Sequence, residues 1–259
     1  MSLTASRPST APAALRLERV GRRFGALVAL EDVTFDVLQG ERRVILGSNG
    51  AGKTTLFNTI AGDFPPTSGR IVLFGEDMTS LPAPERTRRG LRRTYQNSLL
   101  FGGLCVLDNL FLAVRGTLPG RFSLRRPAAD DPGLDEAAAL ARRVGLEDAL
   151  ATPVADLSHG QQRQLELGMA LAGLPRLVLL DEPAAGLSPA ERHTLIDLLH
   201  DLPAEITLIM IEHDMDVALQ VADLVTVMHN GRVLVEGTPD EIEANQMVHD
   251  IYMGKHGHH

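Results

Sequence analysis

The 259-residue chain is short of several things, and each shortage narrows what it does. It holds one cysteine, Cys105, so an internal disulfide framework is excluded and a reducing compartment is expected. Within the apolar stretch 104–112 that thiol is expected to be a buried small hydrophobe. No apolar run approaches the ~20 residues needed to cross a membrane. The longest, residues 177–180 and 206–211, have strand length. The N-terminus carries no apolar secretory segment. Basic charge is also scarce: 25 Lys and Arg against 33 Asp and Glu leave a formal net charge of −8, the wrong sign for a general nucleic-acid binder. A soluble, cytosolic chain is expected, with any membrane work done through partners and no nucleic acid among them.

What is present begins with residues 45–55, I-L-G-S-N-G-A-G-K-T-T. Gly47, Gly52, Lys53 and Thr54 fill the pattern G-x-x-x-x-G-K-[ST]. In that pattern Gly47, Ser48, Asn49, Gly50, Ala51 and Gly52 let the backbone wrap close to phosphates. Lys53 reaches the β- and γ-phosphates, Thr54 offers a hydroxyl to Mg²⁺, and Thr55 continues the loop into a helix. Residues 43–46 read as a buried strand and 54–61 as a helix, so the phosphates of a nucleotide such as ATP meet a helix N-terminus.

Before this loop, residues 1–14 are rich in Ser, Thr, Ala and Pro and read as a disordered tail. Strands are expected at 15–20, 32–37 and 70–74, forming an antiparallel layer. Phe24 lies just after the first of them, in R-R-F-G. It is a core or turn phenylalanine or, given the loop that follows, a plate on which adenine stacks. Residues 85–93 carry Arg86, Arg88, Arg89, Arg92 and Arg93, expected as a solvated helix face rather than a basic patch for a partner or for lipid headgroups. Residues 92–96 read as a short strand. Residues 106–114 and 134–144 read as helices joined by a Pro-, Gly- and Arg-rich loop over 116–133. They mark a candidate helical sub-domain at about 97–160.

Ser158 is placed to cap a helix over 158–172. A buried strand at 177–180 ends in Asp181 and Glu182. A helix follows at 189–199, then a strand at 206–211 ending in Glu212-His213-Asp214, a helix at 215–221, and two strands around the turn signal Asn230-Gly231. Alternating strands and helices predict a mainly parallel sheet with helices on both faces, an α/β fold. Ligands in such sheets sit beyond the carboxyl ends of the strands. If the three strands adjoin, Lys53, Thr54, Asp181, Glu182 and His213 converge. Asp181 then holds Mg²⁺ directly or through water, Glu182 is the general base for attacking water, and His213 contacts the γ-phosphate and orients Glu182.

With these residues in place the chain resembles the ATPase subunits of ABC transporters over 15–254. The most specific piece is L-S-H-G-Q-Q at 157–162, similar to the family's L-S-G-G-Q signature with His159 in place of the first glycine. The resemblance implies a P-loop ATPase core with an antiparallel β sub-domain and a helical sub-domain. It also implies Phe24 as the adenine plate, Gln96 as the Q-loop glutamine near Mg²⁺ and water, residues 185–188 as the D-loop, and His213 as the switch histidine. Ser158, Gly160 and Gln161 of one protomer are then expected to close over ATP held by a second ATPase subunit, the same or a different chain.

The implied partners are two transmembrane permease subunits and, indirectly, a periplasmic solute-binding protein. The implied place is the cytoplasmic face of the inner membrane, with permease contact around residues 96–104. R-T-Y-Q at 93–96, the stretches 181–187 and 212–215, and the closing I-Y-M-G at 251–254 are similar to branched-chain amino acid importer ATPases. Urea and amide importers, lipopolysaccharide-export ATPases and non-transport ABC ATPases are the alternatives. The His-rich residues 255–259 read as a tail.

Overall fold

The computed structural model describes residues 12–94, 100–117 and 131–253. Strands β1 (Ala13–Phe24) and β2 (Leu27–Leu38) form an antiparallel hairpin in which Leu15, Leu17, Val33, Phe35 and Val37 are buried and intervening residues face out. The expected tail, residues 1–14, overlaps β1 at its last two residues, and residues 1–11 lie outside the described part. Ala13 opens β1, and Ala14, fully buried, accepts a 2.8 Å hydrogen bond from the Phe74 amide. An alanine pair carries little strand signal of its own, and cross-strand pairing recruits it.

Next come β3 (Arg42–Gly47), α1 (Lys53–Ala61), β4 (Ser68–Leu73) and β5 (Glu76–Asp77). The order β2-β1-β4-β5 makes a four-stranded antiparallel sheet. Helix α2 (Ala83–Arg88) leads to the short strand β6 (Leu91–Arg93), which ends before the expected Gln96; residues 95–99 lie outside the described part. Helices α3 (Val106–Thr117), α4 (Pro132–Arg143) and α5 (His159–Ala170) pack together. The chain then alternates β7 (Leu177–Asp181), α6 (Pro189–His200), β8 (Thr207–Glu212), α7 (Met215–Val221), β9 (Leu224–His229) and β10 (Arg232–Gly237). It finishes with α8 (Pro239–Glu243), capped by Thr238, and α9 (Gln246–Met253).

The second sheet runs β10-β9-β3-β8-β7-β6, parallel from β9 to β6, with β10 antiparallel at one edge. Its inner strands β9, β3, β8 and β7 are buried on both faces. Ile45, Leu177, Leu179, Ile209 and Ile211 pack with Leu56, Phe57 and Ile60 of α1 and with the antiparallel sheet. Val44, Leu46, Val178, Leu180, Leu208 and Met210 pack with α3 to α7. One face is therefore shared between a single helix and the antiparallel sheet, rather than covered by helices alone. Asn230 and Gly231 both adopt positive φ (48° and 76°), the two-residue turn that an Asn-Gly pair favours.

The arginine run departs from a solvated face. Arg88 and Arg89 do pair with Glu85 and Glu76 near the surface. Arg86, however, is 1% exposed and donates to the carbonyls of Thr59 and Ile60 (2.7 Å each) and Leu81 (2.8 Å). The first two lie in the last turn of α1, where a helix leaves acceptors unmet and favours positive charge, and Leu81 lies just before α2. Cys105 is half-buried, its thiol accepting from the Asp108 amide at 3.4 Å, because it opens α3 at the edge of the helical layer. Among the described residues no helix is long and apolar enough to cross a membrane.

Candidate functional site

The order β3-β8-β7 makes the three strands with polar ends immediate neighbours, and all three are parallel, so their carboxyl ends lie on one rim. Leu46 stands opposite Glu212 and Asp181 opposite Ile211. Long-range register alone brings residues 47, 181 and 212 together.

From β3 the chain turns through Gly47 to Gly52 into α1. Gly52 has φ 98°, and a Cβ there would lie 2.7 Å from the Ala29 carbonyl, so this turn admits glycine alone. Among the described residues no side chain caps the start of α1, which leaves its first N–H groups for a ligand. Lys53 is 6% exposed and its ammonium donates to the Gly47 carbonyl at 2.6 Å, folded within the loop it would serve. Ala51 is buried and its carbonyl accepts from Gly231 at 2.9 Å, so the β9–β10 turn braces the loop from behind. Ser48 and Thr55 are half-buried, and Asn49, Gly50 and Thr54 are exposed.

Glu182 follows β7 in the left-handed region, φ 49°, an uncommon conformation for a residue with a side chain. Its amide is held by the Ile211 carbonyl at 3.0 Å. His213 Nδ1 lies 3.8 Å from Glu182 Oε2, with the imidazole largely exposed and the carboxylate partly so. Beneath them Glu212 is fully buried; it accepts from the amides of Ala184 (3.1 Å) and His213 (3.3 Å). Burial pushes the Glu212 carboxyl above its ordinary range.

Asp181 is 3% exposed. Its Oδ2 is paired at 3.0 Å with Arg93, while Oδ1 is buried with no hydrogen-bond partner among the described residues. Burial pushes this carboxyl upward too, opposed by Arg93 and Lys53. A desolvated acid with one oxygen unmet, on the rim that carries Thr54, is a donor set suited to a hard divalent cation such as Mg²⁺. The third residue expected there, Gln96, lies outside the described residues.

Phe24, at the end of β1, is 43% exposed. Phe64 meets it edge-on at 5.4 Å between centroids, and the Arg22 guanidinium sits over both rings at 4.6 and 4.5 Å. The ring is thus fixed by protein on one side and open elsewhere.

Ser158 caps α5 in a reciprocal box with Gln161 (3.0 and 3.2 Å). The Gly160 amide donates to Glu191 Oε1 at 3.0 Å, and His159 Nε2 is 3.3 Å from the Ala185 carbonyl. Neither Ser158 nor Gly160 hydrogen-bonds to residues 47–55 among the described residues. The structure therefore gathers Lys53, Thr54, Asp181, Glu182 and His213 on one rim and leaves Ser158, Gly160 and Gln161 on the α5 start beside α6. Sequence reasoning passed over Arg93, hidden in a charge run, Glu212, overshadowed by His213, and Glu191. For Glu191 the spacing Ser188-x-x-Glu191 was a readable capping signal.

A family model described as "ABC transporter" matches residues 30–185. The high-affinity branched-chain amino acid transport ATP-binding protein LivG of Salmonella typhimurium is 37% identical over 241 residues, covering 90% of this chain and 94% of LivG. BraF of Pseudomonas aeruginosa, named for the same transport role, is 35% identical over 249 residues, 93% and 98% of the two chains. Among solved structures, the ADP conformation of MJ1267, an ATP-binding cassette of an ABC transporter, matches with a TM-score of 0.84 at 29% identity, covering 93% and 99%.

Proposed function

The chain belongs to the ABC transporter family of ATP-binding ATPases, and from that premise we propose that it powers an importer of branched-chain amino acids. One observation carries the chemistry: Lys53, Asp181, Glu182 and His213 stand at the ends of three adjoining parallel strands. The cargo reading draws support from the names of the 35–37% identical relatives, which align over nearly their whole length.

In this reading the N–H groups of residues 47–53 and the Lys53 ammonium hold the β- and γ-phosphates. Thr54 and Asp181 are the residues that would hold Mg²⁺, which when bound offsets phosphate charge. Glu182 takes the proton of the attacking water, and His213, 3.8 Å away, orients that carboxylate and meets the γ-phosphate. Phe24 stacks on adenine. Ser158, Gly160 and Gln161 serve the nucleotide of a second subunit, because in this chain they lie apart from residues 47–55. ATP then acts as the bond between two subunits, and hydrolysis releases it. Two membrane-spanning permease subunits receive that motion at the cytoplasmic face of the membrane, and a solute-binding protein delivers the amino acid.

Glu182→Gln tests the core of this. The amide keeps the shape but accepts no proton, so the variant binds ATP, forms an ATP-dependent dimer by light scattering, and loses turnover by 10²-fold or more. Turnover within a few-fold of the parent refutes Glu182 as the base. Affinity capture from mild-detergent membranes, with co-purifying chains identified by mass spectrometry, tests the cargo. Recovery of permeases with a branched-chain amino acid binding protein supports it, and recovery of export components overturns it.

A further inference from the structure

Arg93 is the last residue of β6, in register with Leu179 of β7, two residues before Asp181. Its side chain is 6% exposed and reaches three separate elements. Nη2 donates to Asp181 Oδ2 at 3.0 Å; Nη1 donates to Asn58 Oδ1 of α1 at 2.6 Å and pairs with Asp63 Oδ2 at 2.9 Å. The guanidinium carbon lies 5.8 Å from the centre of the Phe57 ring. A planar fork pinned at both ends has little rotational freedom, and so fixes the carboxylate it holds. Next to it, Thr94 accepts from the Asp181 amide at 3.3 Å, which fixes the backbone of the same residue.

We propose that Arg93 is a positioning residue for the divalent cation. By occupying Oδ2 of Asp181 while anchored to the helix that follows the phosphate loop, it locks the carboxylate in one rotamer with Oδ1 as the metal's oxygen. The proposal rests on the assignment of Asp181 to the cation. Its chemistry is that of an outer partner that orients a ligand without touching the metal. Because the same guanidinium grips α1, the phosphate loop's helix and the metal's carboxylate move as one body.

The test uses the full chain in excess over ADP, titrated with Mn²⁺, the electron paramagnetic resonance signal of free Mn²⁺ giving the metal affinity. ADP affinity is measured separately in EDTA. Arg93→Gln is expected to weaken Mn²⁺ by about 10- to 100-fold while metal-free ADP affinity stays within about twofold. Arg93→Lys, which keeps the charge but cannot span Asn58 and Asp181 together, recovers less than half of that loss on a logarithmic scale. Mn²⁺ affinity within about threefold of the parent in Arg93→Gln overturns the proposal. So does a parallel loss of metal-free ADP binding, which marks a merely structural role. Should Arg93→Gln fail to fold, parent-like Mn²⁺ affinity in Arg93→Lys overturns it equally. Asp181→Asn separates the two layers. If it weakens Mn²⁺ where Arg93→Gln does not, this proposal alone falls. If it too leaves Mn²⁺ affinity unchanged, the assignment of Asp181 falls and takes the proposal with it.

Discussion

Replacing Arg86 by Met asks how much a buried cation at the end of the nucleotide-loop helix contributes. The guanidinium, 1% exposed, satisfies three carbonyls at 2.7 to 2.8 Å, those of Thr59, Ile60 and Leu81. Methionine fills the space but donates nothing, so each carbonyl loses its donor at a cost of about 1–3 kcal/mol. Part of this returns, because the parent pays for burying a charge: desolvation pulls the Arg86 guanidinium well below its ordinary value, to about 10. At about 1.4 kcal/mol per pH unit, relief of that burden recovers about 3 kcal/mol. A loss near the middle of the range for three bonds therefore leaves a net destabilisation of about 3 kcal/mol. For a chain of this size that lowers Tm by about 6–12 °C. Thermal and urea unfolding followed by circular dichroism read it. A Tm within about 2 °C of the parent refutes the reasoning, because it means the carbonyls at the end of α1 do not need this donor. Arg86→Lys should behave much like Met, since one ammonium cannot reproduce a fork that spans α1 and Leu81.

Phe24→Ala removes the exposed ring and should weaken ATP by about fivefold, about 1 kcal/mol, in isothermal titration; unchanged affinity returns Phe24 to a purely structural role beside Phe64. Glu212→Gln should change stability in a pH-dependent way. The buried carboxyl is raised above its ordinary value of 4.5, so the folded chain binds that proton more tightly than the unfolded one. Stability from it is full below pH 4.5 and is lost as pH rises through the folded value. The Tm of Glu212→Gln relative to the parent should therefore climb between pH 4.5 and 8, and a constant difference across that range sinks the idea.

Most of the fold was legible because its signals are local. The strand ends at Asp181 and Glu212 show as apolar runs closed by acids. Asn230-Gly231 names its own turn, and the caps at Ser158 and Ser188 precede apolar helical spacing. The glycines of residues 47–52 can be read for the same reason, since a backbone wrapped at positive φ narrows the choice of residue. The α/β class followed from counting alternating elements. What local pattern could not give was neighbourhood. That β8 lies between β3 and β7 is a fact of register, across 166 residues from Arg42 to Leu208 and 30 from Leu177 to Thr207, and the second pairing is what sets His213 beside Glu182.

The misread residues share one physical cause. Arg86 and Arg93 belong to a run whose composition describes a solvated face, and in isolation that is what five arginines in nine residues ought to make. Two things reverse it. α1 ends in carbonyls that need donors, and β6 comes to rest beside β7, which sets a guanidinium against a buried aspartate. Each unmet polar group lies far along the chain from the arginine that meets it, 26 residues for Ile60 and 88 for Asp181. Burying a charge is unfavourable unless such a partner waits, so a long polar side chain goes inward only where the rest of the fold has already left an acceptor without a donor. The order of inference runs from backbone to charge. Once the sheet order is known, the orphaned ends of α1 and β7 can be found first, and the nearest arginine in space, rather than in sequence, is the one that fills each.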